Sequence, residues 1–290
     1  MVEFAFGGIG TNPHYGTPKN PYGRSDGSGG INGRIPGGSS SGAGVAVADR
    51  MCVMGLGSDT RGSVRIPAAL CGVTGFKPTA SRVDKAGAFP LSYTLDSVGP
   101  LANSIACCAV FDAILAGDGH PSGVTPPVAR PLRGLRFVVP QCFAMDGLEE
   151  DVADAFSRGA AALEAAGCLV DRHVPMPSLD AAHALYAGGG FAGPESAQIH
   201  RPILAKHRDE YDPNVASRIE LGEKASAADY VQLGLDRTNV IREAAAALAP
   251  YDAMLLPTTP ASAPTIAQVS ESGDEYAKWN LQMLRNTGLI

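Results

Sequence analysis

The sequence predicts an α/β fold, on two observations. Segments with apolar residues at helical spacing alternate with short apolar runs of strand length, and a serine-bearing glycine loop follows the first of those runs. Such alternation implies a layered sheet with helices on both faces.

The elements follow in order. Residues 42–50 are small at nearly every position, which suits a helix packed close against neighbouring backbone. Residues 52–56 form a short apolar strand that delivers a glycine loop at its end. Residues 104–116 have helical spacing, with Asn103 or Ser104 as N-cap and Gly117 as stop. Residues 135–139 read as a strand ahead of Pro140. The segment 151–166 is a helix with acidic residues in its first turn and Gly167 after it, and it leads into a strand over 169–174. Alanine-rich 227–248 is a long helix, and 253–256 a buried strand. No internal repeat or linker appears, so residues 1–290 read as one domain.

Composition narrows the function classes. A chain of 290 residues with 45% hydrophobic content is long enough to bury a large core. A net charge of −6 argues against a nucleic-acid or anionic-membrane partner. Its 35 glycines concentrate within residues 7–62, which points to a site rather than to low complexity. The six cysteines (52, 71, 107, 108, 142 and 168) show neither C-x-x-C nor metal-ligand spacing, so they read as buried thiols with no metal. No apolar run reaches the roughly 18 residues that span a bilayer. Residues 1–15 lack a basic start followed by an apolar run. The expectation is a cytoplasmic protein without a membrane partner.

The chemistry sits in two loops. The first reads Gly37-Gly38-Ser39-Ser40-Ser41-Gly42, and the second Gly57-Ser58-Asp59-Thr60-Arg61-Gly62-Ser63-Val64-Arg65. Consecutive amides in such loops can form a nest for negative charge. A serine at the end of a nest is placed as an acyl-transfer nucleophile beside its oxyanion hole. On this reading Ser63 attacks, and the amides of Thr60, Arg61, Gly62 and Ser63 form the oxyanion hole. Ser40 and Asp59 are supporting residues, and Arg65 fixes the loop. Arg61 is expected to turn toward solvent or a structural carboxylate, with an orientation into the pocket as the alternative.

These loops, with Gly75-Phe76-Lys77-Pro78-Thr79, Asp96-Ser97-Val98-Gly99-Pro100 and Pro257-Thr258-Thr259-Pro260, resemble the amidase signature family of serine hydrolases. The resemblance covers nearly the whole chain and is strongest over residues 1–118. It implies a central mixed β-sheet covered by helices, and hydrolysis of a small-molecule carboxylic amide through an acyl-serine. It implies no metal or organic cofactor, and a homo-oligomer is compatible with it. The glutaminase subunit of tRNA-dependent amidotransferases also belongs to that family and ranks lower as a reading here. The family triad is Ser-Ser-Lys. Ser63 matches the nucleophile, and Ser39 matches the bridging serine, whose peptide bond is typically cis in the family.

The catalytic lysine is not in this chain. None of Lys19, Lys77, Lys85, Lys206, Lys224 and Lys278 falls in the matching context, and Lys77 reads as structural. The chain is therefore expected to be a partial amidase-signature domain. It would lack an N-terminal lysine-bearing segment and C-terminal strands, and its activity would be impaired. Two alternatives stay open. One is a non-catalytic, degenerate amidase fragment. The other is a serine hydrolase whose Gly38-Ser39-Ser40-Ser41-Gly42 is a G-x-S-x-G nucleophile elbow with Ser40 as nucleophile.

Overall fold

The computed structural model describes residues 1–24, 33–118 and 128–289. Its strands divide between two three-stranded sheets, and helices pack on both. The first sheet is antiparallel, with β1 (Met54–Asp59) and β2 (Thr74–Gly75) flanking β3 (Ser97–Ala102). The register runs from Met54 opposite Ala102 to Asp59 opposite Ser97, so β1 ends where the second glycine loop begins. The central strand β3 lies in a segment to which the sequence reading gave no strand. Its Pro100 obscures it, because proline in a run argues against a central strand. Here Pro100 still accepts a hydrogen bond from the Phe76 amide (3.0 Å).

The second sheet is parallel. Its centre is β4 (Arg136–Gln141), paired with β5 (Leu169–Pro175) on one edge and β6 (Ala253–Met254) on the other. The helix α4 (Glu150–Ala165) makes the crossover from β4 to β5, with Glu150 and Asp151 in its first turn, where the helix dipole favours negative charge. The strand expected over 253–256 is shorter than its apolar run. The Leu255 amide still donates to the Val138 carbonyl (2.8 Å) before the chain turns away.

Helices supply the rest of the described fold: α1 (Ser41–Ala48), α2 (Arg65–Leu70), α3 (Ile105–Ala116), α5 (Pro177–Ala184), α6 (Ala192–His207), α7 (Pro213–Gly222), α8 (Ala227–Leu248), α9 (Ile266–Ser270) and α10 (Gly273–Leu284). The α3 signals act as read. Ser104 Oγ accepts from the Cys107 amide (3.1 Å), and Gly117 closes the helix at φ +76°. Ser226 and Asp229 form a capping box on α8. Sequence reading passed over α6 and α7, and Pro202 inside α6 weakens its pattern. Where these two meet, a Cβ on Gly222 would lie 2.0 Å from the Gly193 carbonyl oxygen, so only glycine permits the approach.

Two apolar clusters hold the N-terminal segment in place. Val2 and Phe6 pack with Ala197 of α6 and with Val215 and Ile219 of α7. Ile9 packs with Ile35, Ile66 and the α10 residues Tyr276, Met283 and Leu284. Residues 2–9 thus lie between the helical layer and the glycine loops. No helix among the described residues is long and apolar enough to cross a membrane.

All six thiols are free, and four are buried. Burial pushes the Cys71 thiol up to about 12 and the Cys108 thiol up to about 11. Because the thiolate is the reactive species, iodoacetamide at pH 8 is expected to leave both unmodified in the folded protein and to alkylate both after denaturation. Peptide mass spectrometry reads the difference, and rapid native alkylation of Cys71 would show that this core is not closed.

Candidate active site

The site grows from a buried carboxylate. Asp59, at the end of β1, is fully buried. Its Oδ1 accepts from the Gly62 amide (2.6 Å) and its Oδ2 from the amides of Val64 (3.1 Å) and Arg65 (3.3 Å). Arg65 completes a two-pronged pair through Nε (3.0 Å) and Nη2 (2.9 Å). Burial works to raise the Asp59 pKa. The Arg65 charge and these hydrogen bonds outweigh it and hold the carboxyl below its ordinary value. Both residues therefore fix the loop.

Neighbouring segments clamp the same loop. Asp96 accepts from Thr60 Oγ1 (2.5 Å) and from the amides of Leu91 (2.9 Å) and Ser92 (3.0 Å). Ser97 Oγ donates to the Asp59 carbonyl (2.8 Å), and Thr287 Oγ1 donates to the Arg61 carbonyl (2.6 Å). Gly62 stands at φ +134°, and a Cβ there would lie 2.1 Å from Thr287 Oγ1. Only glycine fits that position.

The first serine loop docks against the second. The Ser40 amide donates to the Ser63 carbonyl (3.1 Å). The Gly38 amide donates to the Gly8 carbonyl (2.8 Å), and the Val2 amide to the Ser39 carbonyl (3.0 Å). The Gly38–Ser39 peptide bond is cis. Ser39 is fully buried, and its Oγ has no hydrogen-bond partner among the described residues. All six lysines lie among those residues. Lys77 Nζ donates to the Pro78 carbonyl (3.1 Å), Lys85 Nζ to the Asp96 carbonyl (3.0 Å) and Lys278 Nζ to Glu275 (3.0 Å); none reaches Ser39.

Ser63 lines a cavity of about 350 Å³, together with Thr60, Arg61, Tyr186, Arg218 and Asn280. The Gly62 amide is already engaged by Asp59. The amides of Thr60, Arg61 and Ser63 donate to no protein acceptor among the described residues. The four-amide nest expected from sequence is thus reduced to three available donors. Ser40 does not line this cavity; its hydroxyl donates to the Ser58 carbonyl (3.4 Å). Three histidines bond elsewhere: His14 with Glu3, His200 with Tyr211 and His207 with Glu210. Among the described residues no histidine bonds to Ser40.

Arg61 corrects the expectation made for it. Rather than meeting solvent or a carboxylate, it lines the cavity with its guanidinium 3.7 Å from the Tyr186 ring centroid. The aromatic face supplies the attraction, and Tyr186 follows α5 in the part of the chain where sequence patterns are weakest. Arg218 of α7 lies 4.2 Å from the Phe6 ring centroid, and its Nη1 donates to the Phe6 carbonyl (2.5 Å). Burial lowers the pKa of both arginines, that of Arg218 to about 10. Asn280 Oδ1 accepts from the Gly8 amide (2.7 Å). Sequence reading found none of Tyr186, Arg218 and Asn280 as site residues, because no local motif surrounds them.

Residues 1–287 match the family described as Amidase. A 2-amino-5-chloromuconic acid deaminase from Comamonas testosteroni is 35% identical over 292 residues, covering 99% of this chain and 60% of that protein. A glutamyl-tRNA(Gln) amidotransferase subunit from Synechococcus sp. (strain CC9605) is 32% identical over 294 residues, covering 91% of this chain and 58% of its own length. The crystal structure of an amidase superposes with a TM-score of 0.83 at 32% identity, covering 99% of this chain and 63% of that one. The chain thus spans about three fifths of the length of the curated relatives it matches.

Asp59→Asn removes the only carboxylate opposite Arg65 among the described residues. Breaking one half of a buried pair costs about 3–5 kcal/mol, so the variant is expected to melt well below the parent at pH 7. The depressed Asp59 pKa stabilises the fold above its unfolded value of 3.8, and that contribution is lost as pH falls through the folded value. The gap between the two melting curves should therefore narrow below about pH 4, and a gap constant from pH 7 to pH 3 would contradict this role.

Proposed function

The chain belongs to the Amidase family, and on that premise we propose that it hydrolyses a carboxylic amide to acid and ammonia or amine through an acyl-Ser63 intermediate. One observation carries the reading. Ser63 borders the cavity inside a clamped turn whose Thr60, Arg61 and Ser63 amides have no acceptor among the described residues.

The proposed steps follow from that arrangement. Ser63 Oγ attacks the amide carbon, and the carbonyl oxygen gains the displaced electron pair as an oxyanion. The three available amides stabilise it, each such donor being worth about 3–4 kcal/mol. Collapse expels the nitrogen, which takes the proton that Ser63 gave up on attack, relayed through Ser39, and leaves an ester on Ser63. Water then cleaves the ester to the free acid.

Relay through Ser39 requires a base, which is a lysine in the Ser-Ser-Lys triad that we assign. The unpartnered, buried Ser39 hydroxyl is where such a base would bond. With no lysine of this chain reaching it, amide hydrolysis is expected to be slow from the acylation step onward. Loss of one member of a catalytic unit can lower turnover by up to about 10⁶. The non-catalytic reading remains the rival, and it predicts no reactive serine at all. Six free thiols suit a reducing compartment, so we place the protein in the cytoplasm.

Treatment with a fluorophosphonate probe, followed by peptide mass spectrometry, tests the assignment. A single adduct is expected on Ser63 and none in Ser63→Ala. An adduct on Ser40, or none on either serine, would contradict it.

A further inference from the structure

We infer that the Ser63 cavity selects an amide carrying a carboxylate, held by the guanidinium groups of Arg61 and Arg218. The inference deepens the proposed amide hydrolysis and, for the word amide, rests on it.

Among the described residues the cavity is lined by two arginines and by no aspartate or glutamate. Neither arginine has a carboxylate partner among the described residues. Arg61 Nε is buried and has no hydrogen-bond partner among the described residues. Arg218 spends one N–H on the Phe6 carbonyl, although a guanidinium carries five donors. Two other arginines, Arg65 and Arg82, pair with acids, Asp59 and Asp112. Two guanidinium groups without an acid partner, on one cavity, call for an anion.

Their surroundings sharpen the chemistry. Each guanidinium packs over an aromatic face, Arg61 on Tyr186 and Arg218 on Phe6, which orients its edge donors without neutralising its charge. The Arg61 charge also works against protonation of Arg218, and an anion placed beside them relieves both. A carboxylate matches the planar fork of arginine with two parallel hydrogen bonds. Much of the remaining wall is small or apolar, including Ala5, Gly189, Gly193, Leu221 and Leu281, and the Asn280 oxygen is occupied by the Gly8 amide. An ammonium-bearing substrate finds no acid to pair with there. At about 350 Å³ the space suits a small molecule.

Calorimetric titration of the Ser63→Ala chain, which cannot consume the ligand, compares succinamate with butyramide, its neutral counterpart of equal carbon count. A charge-assisted pair predicts that succinamate binds about tenfold tighter or more, and that Arg61→Gln removes most of this preference while Arg61→Lys keeps part of it. Equal affinities for the two ligands, or a preference unchanged in both Arg61→Gln and Arg218→Gln, would overturn the inference. The ligand comparison needs no arginine variant, so it stands even if Arg218→Gln fails to fold. Ser63 labelling by the fluorophosphonate with equal affinities overturns this inference and leaves amide hydrolysis intact. A carboxylate preference that depends on Arg61, without a Ser63 adduct, supports the anion site and removes the hydrolysis reading.

Discussion

Asp59 places one carboxylate where five donors converge: the amides of Gly62, Val64 and Arg65, and two nitrogens of the Arg65 side chain. The geometry of the second glycine loop depends on this convergence. Engaging the Gly62 amide turns the chain through a conformation that only glycine adopts easily, and the same turn leaves the Thr60, Arg61 and Ser63 amides without acceptors among the described residues. Arg65, at the start of α2, is both ion partner and backbone donor, so the loop and the helix that follows it share one anchor.

A second constraint joins parts of the chain distant in sequence. Residues 2–9 bond the first serine loop through Val2 and Gly8, and α10 holds Gly8 through Asn280. The apolar contacts of Ile9, Ile66 and Leu284 make the same connection in the core. The cavity is therefore bounded by α7, α10, the Tyr186 turn and the second glycine loop, with Ser63 on one wall and Arg218 on another. Glu195 performs a similar service behind the site, accepting from Ser92, Thr94 and Tyr230 (2.7 Å for the last).

The parts legible in the sequence were those governed by local rules. Ser104 and Gly117 mark the ends of α3 because capping is a matter of adjacent residues, and the glycine loops announce themselves by composition. Asp59 and Arg65 could be read as loop-fixing for the same reason. The parts not legible depend on long-range packing. Strand β3 hides behind Pro100, and α6 and α7 lie in the weakly patterned middle of the chain. Arg61 was placed wrongly because its partner, Tyr186, is far along the chain and outside any motif. Even the amide nest was only partly legible, since the choice between Asp59 and a ligand as acceptor for Gly62 is made by the fold of the turn.

The account stands or falls on a preassembled cradle beside Ser63 from which Gly62 is excluded. A crystal structure of the fluorophosphonate adduct tests this most directly. The account predicts a phosphorus–Oγ bond at Ser63, with the phosphonyl oxygen about 2.7–3.1 Å from amides drawn from Thr60, Arg61 and Ser63, and Gly62 still bonded to Asp59. A phosphonyl oxygen turned to solvent, or one bound by Gly62 with Asp59 displaced, would contradict it.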